Sequence, residues 1–252
     1  MAWEDTMTFL MHRPRRTRAR VLVLALLLLA LVAPAGPALA HDRSDHRYGT
    51  TGAEFWQWAL AQPAATNPLT DTTGEFCDEG QRGRTWFLAG SLVGPVTREC
   101  TIPYGKKVVF PVVNLGAFAF PDDPPEQRTE EYLRAQVAGF KDAATGLRVT
   151  VDGTVLRRSE LRYEESRLFS VPMPDDNLFA ALGVPGLPDG PFLLGPCVDA
   201  GYYVTLRSLR PGAHTVHIEG VIEAADPAQN TVVDVTYELT VQRTRGPGQH
   251  GG

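Results

Sequence analysis

The sequence predicts a mainly β domain: an antiparallel β-sandwich, immunoglobulin-like or jelly-roll-like, with a short N-terminal helix and one amphipathic helix. Three stretches carry this expectation. Val233, Val235, Tyr237, Leu239 and Val241 alternate with Asp234, Thr236, Glu238 and Thr240, the period-two pattern of a strand with one buried face. Leu147, Val149 and Val151 alternate with Arg148 and Thr150, and Asp152-Gly153 follows, a pair that closes tight hairpins because both positions accept positive φ. Tyr202, Val204 and Leu206 alternate with Tyr203, Thr205 and Arg207 before Arg210-Pro211-Gly212 turns the chain into residues 214–219. Strands joined by short hairpins pair antiparallel and bury one face each against a second layer.

The remaining elements follow in chain order. Residues 54–62 read as a helix whose Phe55, Trp56, Trp58, Ala59 and Leu60 cover most of its circumference, so it should be buried. Asn67-Pro68 and Asp71-Thr72-Thr73-Gly74 read as turns. Apolar runs at 86–89 and 107–113 have strand length, and Pro111 inside the second calls for an edge or a bulge. After the break at 121–125, Leu133, Val137, Phe140 and Ala144 recur at helical spacing, predicting one helix over 130–144. Residues 167–171 form another short strand, and the Pro- and Gly-rich run 172–196 reads as a surface excursion able to shape a site.

The first forty residues carry an export pattern. Arg13, Arg15, Arg16, Arg18 and Arg20 precede an apolar run over 21–32, then Pro34, Pro37 and the small-x-small site Ala38-Leu39-Ala40. Twelve apolar residues span about 18 Å as a helix, short of the ~30 Å hydrocarbon core, so no stable membrane insertion is expected after processing. The expected layout is a signal peptide at 1–40, a flexible lead-in at 41–52, a single sandwich domain at 53–243 and a disordered tail at 244–252, with the protein secreted and extracellular. Cleavage removes five of 24 basic and two of 29 acidic residues, leaving 19 and 27, a net charge of −8. That balance opposes nucleic-acid binding, which depends on neutralising phosphates with Lys and Arg.

Cys77, Cys100 and Cys197 all follow the export segment, and an oxidising compartment favours disulfides. Cys77 with Cys100 is the more local pair. Cys197 is then left over and reads as a buried thiol, pairing with either of the others being the alternative.

The usual catalytic motifs are absent: no G-x-S-x-G, H-E-x-x-H, C-x-x-C or P-loop occurs. No cofactor is expected. The densest polar-aromatic block runs from Trp56 to Trp86, where Trp56, Trp86, Arg82 and Arg84 are candidates for holding a polysaccharide or other surface polymer. Asp71 and Glu75 are the candidate carboxylate pair of a hydrolase, which needs two carboxyls roughly 5–10 Å apart across a cleft. Lys106 and Asn114 read as scaffold, and the adjacent Glu164 and Glu165 point to opposite faces of an extended segment. His214 and His217, three apart on a strand, also face opposite ways. His41, first residue after the cleavage site, is a weak copper candidate through its amine and imidazole.

Several pieces resemble a family of uncharacterised secreted bacterial proteins: Phe55-Trp56-Gln57-Trp58-Ala59-Leu60, Asp71-Thr72-Thr73-Gly74 with Cys77, Trp86-Phe87-Leu88-Ala89-Gly90, Arg98-Glu99-Cys100, and Gly105-Lys106 with Phe110-Pro111-Val112-Val113-Asn114. The resemblance implies export and a shared fold and brings no catalytic residues. The favoured function is a non-enzymatic binding or surface-interaction module. The alternatives are an extracellular hydrolase using Asp71 and Glu75, a copper-dependent oxidase starting at His41, and a structural envelope or spore-surface protein.

Overall fold

Period-two alternation in most of the long strands lays ten strands into two five-stranded sheets. They belong to a computed structural model that describes residues 48–243. The export segment 1–40, His41 and the tail from 244 lie outside the described residues. The first sheet contains β1 (Thr85–Phe87), β3 (Lys107–Phe118), β6 (Arg162–Glu165), β7 (Phe169–Met173) and β8 (Phe192–Leu206), in the order β1-β3-β8-β6 with β7 also paired to β8. The second contains β2 (Val96–Pro103), β4 (Ala144–Val151), β5 (Thr154–Val155), β9 (Gly212–Ile222) and β10 (Thr231–Gln242), in the order β2-β10-β9-β4-β5. The pairing is antiparallel except at one edge of each sheet, where β1 runs parallel to β3 and β2 parallel to β10. Those two edges are not built from hairpins, which is why hairpin logic did not anticipate them.

Between the sheets, Phe110, Val112, Ala200 and Val204 meet Val216, Ile218, Val235 and Leu239 in one apolar core. A second apolar layer lies on the far side of the first sheet. There α1 (Thr51–Ala59) brings Phe55, Trp58 and Ala59 against Val171, Met173, Leu194, Cys197 and Tyr203. β8 is therefore covered on both faces, and every residue from Cys197 to Val204 is buried. The period-two reading of its end was a correct strand with the wrong exposure, since Tyr203 belongs to the second layer rather than to solvent.

The Asp152-Gly153 hairpin forms as expected, with φ of +49° and +77°, joining β4 to β5. Pro111 sits at a register shift against β8, so the bulge is present although β3 is an interior strand. The helix expected over 130–144 breaks in two, α2 (Glu130–Val137) and α3 (Phe140–Ala143), with Gly139 capping the second. Thr129 caps the first by accepting from the Tyr132 amide at 3.2 Å. The run 172–196 is not a free excursion. Its α4 (Leu178–Ala181) buries Leu178 and Phe179 in the second layer, and from Phe192 the chain is already β8. The lead-in is also shorter than expected: Gly49 bridges to Ser166 and α1 begins at Thr51.

β2 was silent in the sequence because Arg98 occupies an inward position. The side chain is 1% exposed, and three of its four partners are backbone carbonyls. Nε donates to Asp71 O at 2.7 Å, and Nη1 donates to Ala89 O, Gly90 O and the Tyr237 hydroxyl. Tyr237 passes the bond on to Ala89 O at 2.9 Å, so the buried charge is spread over a polar seam. Cys77 and Cys100 form the disulfide, and Cys197 is free and buried, its thiol pushed up to about 12 by burial. Among the described residues no helix is long and apolar enough to cross a membrane.

Candidate functional site

The carboxylate pair at Asp71 and Glu75 does not form a catalytic couple. Asp71 is buried and closes its own turn: Oδ1 accepts from the Thr73 and Gly74 amides and the Thr73 hydroxyl, and Oδ2 accepts from the Phe76 amide at 3.0 Å. Burial raises its pKa, but the Thr73, Phe76 and Gly74 amides and the Arg98 charge outweigh burial and hold the carboxyl below its ordinary range. A carboxyl held ionised in this way cannot serve as a general acid. Glu75 points to solvent.

The tryptophan block divides by burial. Trp86 is 5% exposed, inside the core between the sheets, and Trp58 is in the second layer with Nε1 donating to Glu79 O at 2.8 Å. Neither offers a face to a ligand, which corrects the expectation for Trp86. Trp56 is half-buried, edge-on to Phe118. Arg82 and Arg84 are exposed in the loop entering β1, so the four candidates do not assemble into one surface.

Trp56 belongs instead to a polar knot. Its Nε1 donates to Asp199 Oδ1 at 2.7 Å, the Tyr203 hydroxyl donates to Oδ2 at 2.7 Å, and Asn114 Nδ2 donates to Oδ1 at 3.2 Å. Asp199 is fully buried. Burial dominates over the three donors, and with the neighbouring Glu164 charge it pushes the carboxyl up to about 7. Glu164 in turn accepts from the amide and hydroxyl of Thr51 at 2.7 and 3.1 Å, at the start of α1. The sequence signal for this knot was an acidic residue inside the apolar run Cys197-Val198-Asp199-Ala200. Of its surroundings only Tyr203 shares its strand, and Trp56, Asn114 and Glu164 lie on three other elements that no spacing announces. Every donor is used inside the knot, so it reads as a built-in joint.

Open space lies on the opposite side of the molecule. The outer face of the second sheet carries cross-strand rows set by register: Glu99 beside Glu238 and Thr101 beside Thr240 across β2 and β10, with Thr215 of β9 opposite Glu238. The disulfide-tied loop 73–78 overhangs this face and makes it a groove of about 1060 Å³, adding Thr73, Glu75 and Asp78 to its lining. The loop is held tightly to β2. The Glu99 amide donates to Thr73 O at 2.8 Å, and a Cβ on Gly74 (φ +91°) would lie 2.0 Å from Glu99 O, so only glycine fits there. None of Glu75, Asp78, Glu99 and Glu238 has an ion pair among the described residues.

His214 stands at the rim with both nitrogens engaged, Nδ1 with Asp152 Oδ2 at 2.7 Å and Nε2 with Arg210 O at 2.8 Å. A carboxylate and a carbonyl both accept, so the two contacts favour the protonated ring. The Asp152 bond raises its pKa, against the opposing effect of burial. His217 bonds a different carboxylate, Asp234, at 2.8 Å, and among the described residues no three side chains converge to hold a metal ion. His41 lies outside the described residues.

No family model matches the chain and no curated protein does. Among solved structures, a family 123 glycoside hydrolase from Clostridium perfringens that hydrolyses glycolipid glycans aligns with 58% of this chain at 10% identity and a TM-score of 0.22. The chain spans only 23% of that enzyme's length. A likeness this slight bears on neither fold nor activity.

Proposed function

We propose that the protein is a secreted, non-enzymatic binding module that holds a neutral or amine-bearing polysaccharide in the groove on its second sheet. The single observation behind this reading is the groove itself: about 1060 Å³ of open space lined by threonine hydroxyls and carboxylates on a rigid strand scaffold. Hydroxyls and carboxylates at fixed strand spacings can bond the hydroxyls of an extended sugar chain, and sites on strands hold geometry better than sites on loops. Four carboxylates without an ion pair among the described residues repel anionic polymers, nucleic acid included. The Cys77–Cys100 disulfide supports an oxidising compartment and with it the export reading of residues 1–40.

The test is retention on cellulose, chitin and chitosan, followed by calorimetric titration with soluble oligomers of whichever polymer retains the protein. The double variant Glu99→Gln, Glu238→Gln should lose about tenfold or more in affinity, the cost of two or so weakened hydrogen bonds, while its circular dichroism stays that of the parent. Retention that ignores both substitutions would place binding elsewhere. Absence of retention on every polymer would leave the envelope-component reading in its place.

A further inference from the structure

The joint around Asp199 is built differently from the other buried polar seam. Arg98 spreads its charge over three loop carbonyls, of Asp71, Ala89 and Gly90, and the Tyr237 hydroxyl. Asp199 is roofed by a single helix. α1 lies so close that a Cβ on Gly52 would come within 2.1 Å of Asp199 Oδ2, and Trp56 of the same helix supplies the donor to Oδ1. The floor is formed by β8 and β3, which run next to each other inside the first sheet. The carboxyl is thus fully buried with α1 directly over it. We propose that residues 48–59 form a proton-held latch, closed over Asp199 while its carboxyl carries a proton and opening more often once that proton is lost.

The groups facing Asp199 support this reading. From α1 come Gly52 and the neutral indole of Trp56, and from β3 the neutral amide of Asn114. From β8 comes Tyr203, whose hydroxyl burial and the Asp199 charge hold well above its ordinary range. From β6 come Glu164, a second negative charge, and Tyr163, also raised, first by burial. Ser166 accepts from the Asp199 amide at 2.8 Å. From α2 comes one cation, Arg134, which stacks on Tyr48 and donates to Ser166 O at 3.3 Å. Neither Asp199 nor Glu164 has an ion pair among the described residues, so an ionised Asp199 faces another carboxylate with no cation paired to it. Opening would separate the two carboxylates and let water solvate both, at the cost of the two bonds that Thr51 donates to Glu164.

The pH window follows from proton counting. With α1 closed, Asp199 keeps its proton up to about 7. Opened to water, the carboxyl loses it near its unperturbed value of about 3.9. Between these values the closed state binds one more proton than the open state, so opening becomes easier as pH rises, by roughly tenfold per unit, and levels off above the upper value. Apolar burial of Phe55, Trp58 and Ala59 keeps the latch mostly shut throughout. The proton changes how often it opens.

Hydrogen exchange of the whole protein, corrected for intrinsic rates, reads this directly. Amides of α1 should lose about a hundredfold in protection between pH 5 and pH 8, while amides of β10 lose far less. Asp199→Asn should remove the α1 change. Glu164→Gln, which keeps an oxygen for Thr51 but drops the neighbouring charge, should shrink it and bring the plateau to lower pH. Equal changes in α1 and β10 would overturn the latch, because opening would then be global. So would an α1 pH dependence that survives either substitution. If Asp199→Asn does not fold, the Glu164→Gln profile decides alone.

Discussion

The two sheets share a core and treat their outer faces in opposite ways. On the first sheet, α1 and α4 cover the outer face, and its central acidic residue, Asp199, sits in the dry with three neutral donors around it. On the second sheet the outer face is left to water, and its acidic residues, Glu99 and Glu238, stand side by side in register without an ion pair among the described residues. The same chemical group thus closes one face and leaves the other available. Burial of a carboxyl requires its hydrogen bonds to be met from within, which consumes every donor nearby. Exposure leaves the hydrogen-bonding capacity free for something outside the chain.

Substitutions can break this contrast, the largest effect coming from the covered side. Trp58→Ala should cost about 3–5 kcal/mol in a denaturant titration, as for other large aromatics removed from a core. A cost within about 0.5 kcal/mol, typical of the surface, would mean that the second layer is not a core at all. Next in size, removing the disulfide with Cys77→Ser and Cys100→Ser should cost about 3 kcal/mol through loop-closure entropy. Because the bond fastens the overhanging loop to β2, the same variant should also lose polysaccharide retention. Retention at full strength would show that the loop is no part of the site. The smallest effect has the opposite sign. Glu238→Gln removes a like-charge neighbour from Glu99 and should raise the melting stability by about 0.2–1 kcal/mol. A loss instead would mean that Glu238 has a stabilising partner, and the open-face reading would fail.

Much of the scaffold was legible where local rules and tertiary packing agree. The alternation of β10, the Asp152-Gly153 hairpin and the local cysteine pair each depend on neighbours in sequence, and each is found. The open groove was not legible, because it needs β2 beside β10 and β2 is disguised by Arg98 in an inward position. The Asp199 knot was hidden for a related reason: Trp56, Asn114, Asp199 and Glu164 come from four elements whose only relation is contact. Asn114 was read as scaffold, which its bonds to Asp199 and Tyr203 fit. Trp86 was misread because an aromatic beside exposed arginines looks the same in sequence whether it faces in or out.

The parallel pairing of β2 with β10 also governs the order of events during biosynthesis. Val96 aligns with Val235 and Ile102 with Val241, and β10 is the strand to which β2 is hydrogen-bonded. A ribosome that has delivered β2, β4, β5 and β9 has made a sheet with its middle missing, because β10 stands between β2 and β9. Such long-range closure is slow and comes late. Until Thr231 and the residues after it have emerged, β2 has no strand to pair with and the second sheet stays unfinished.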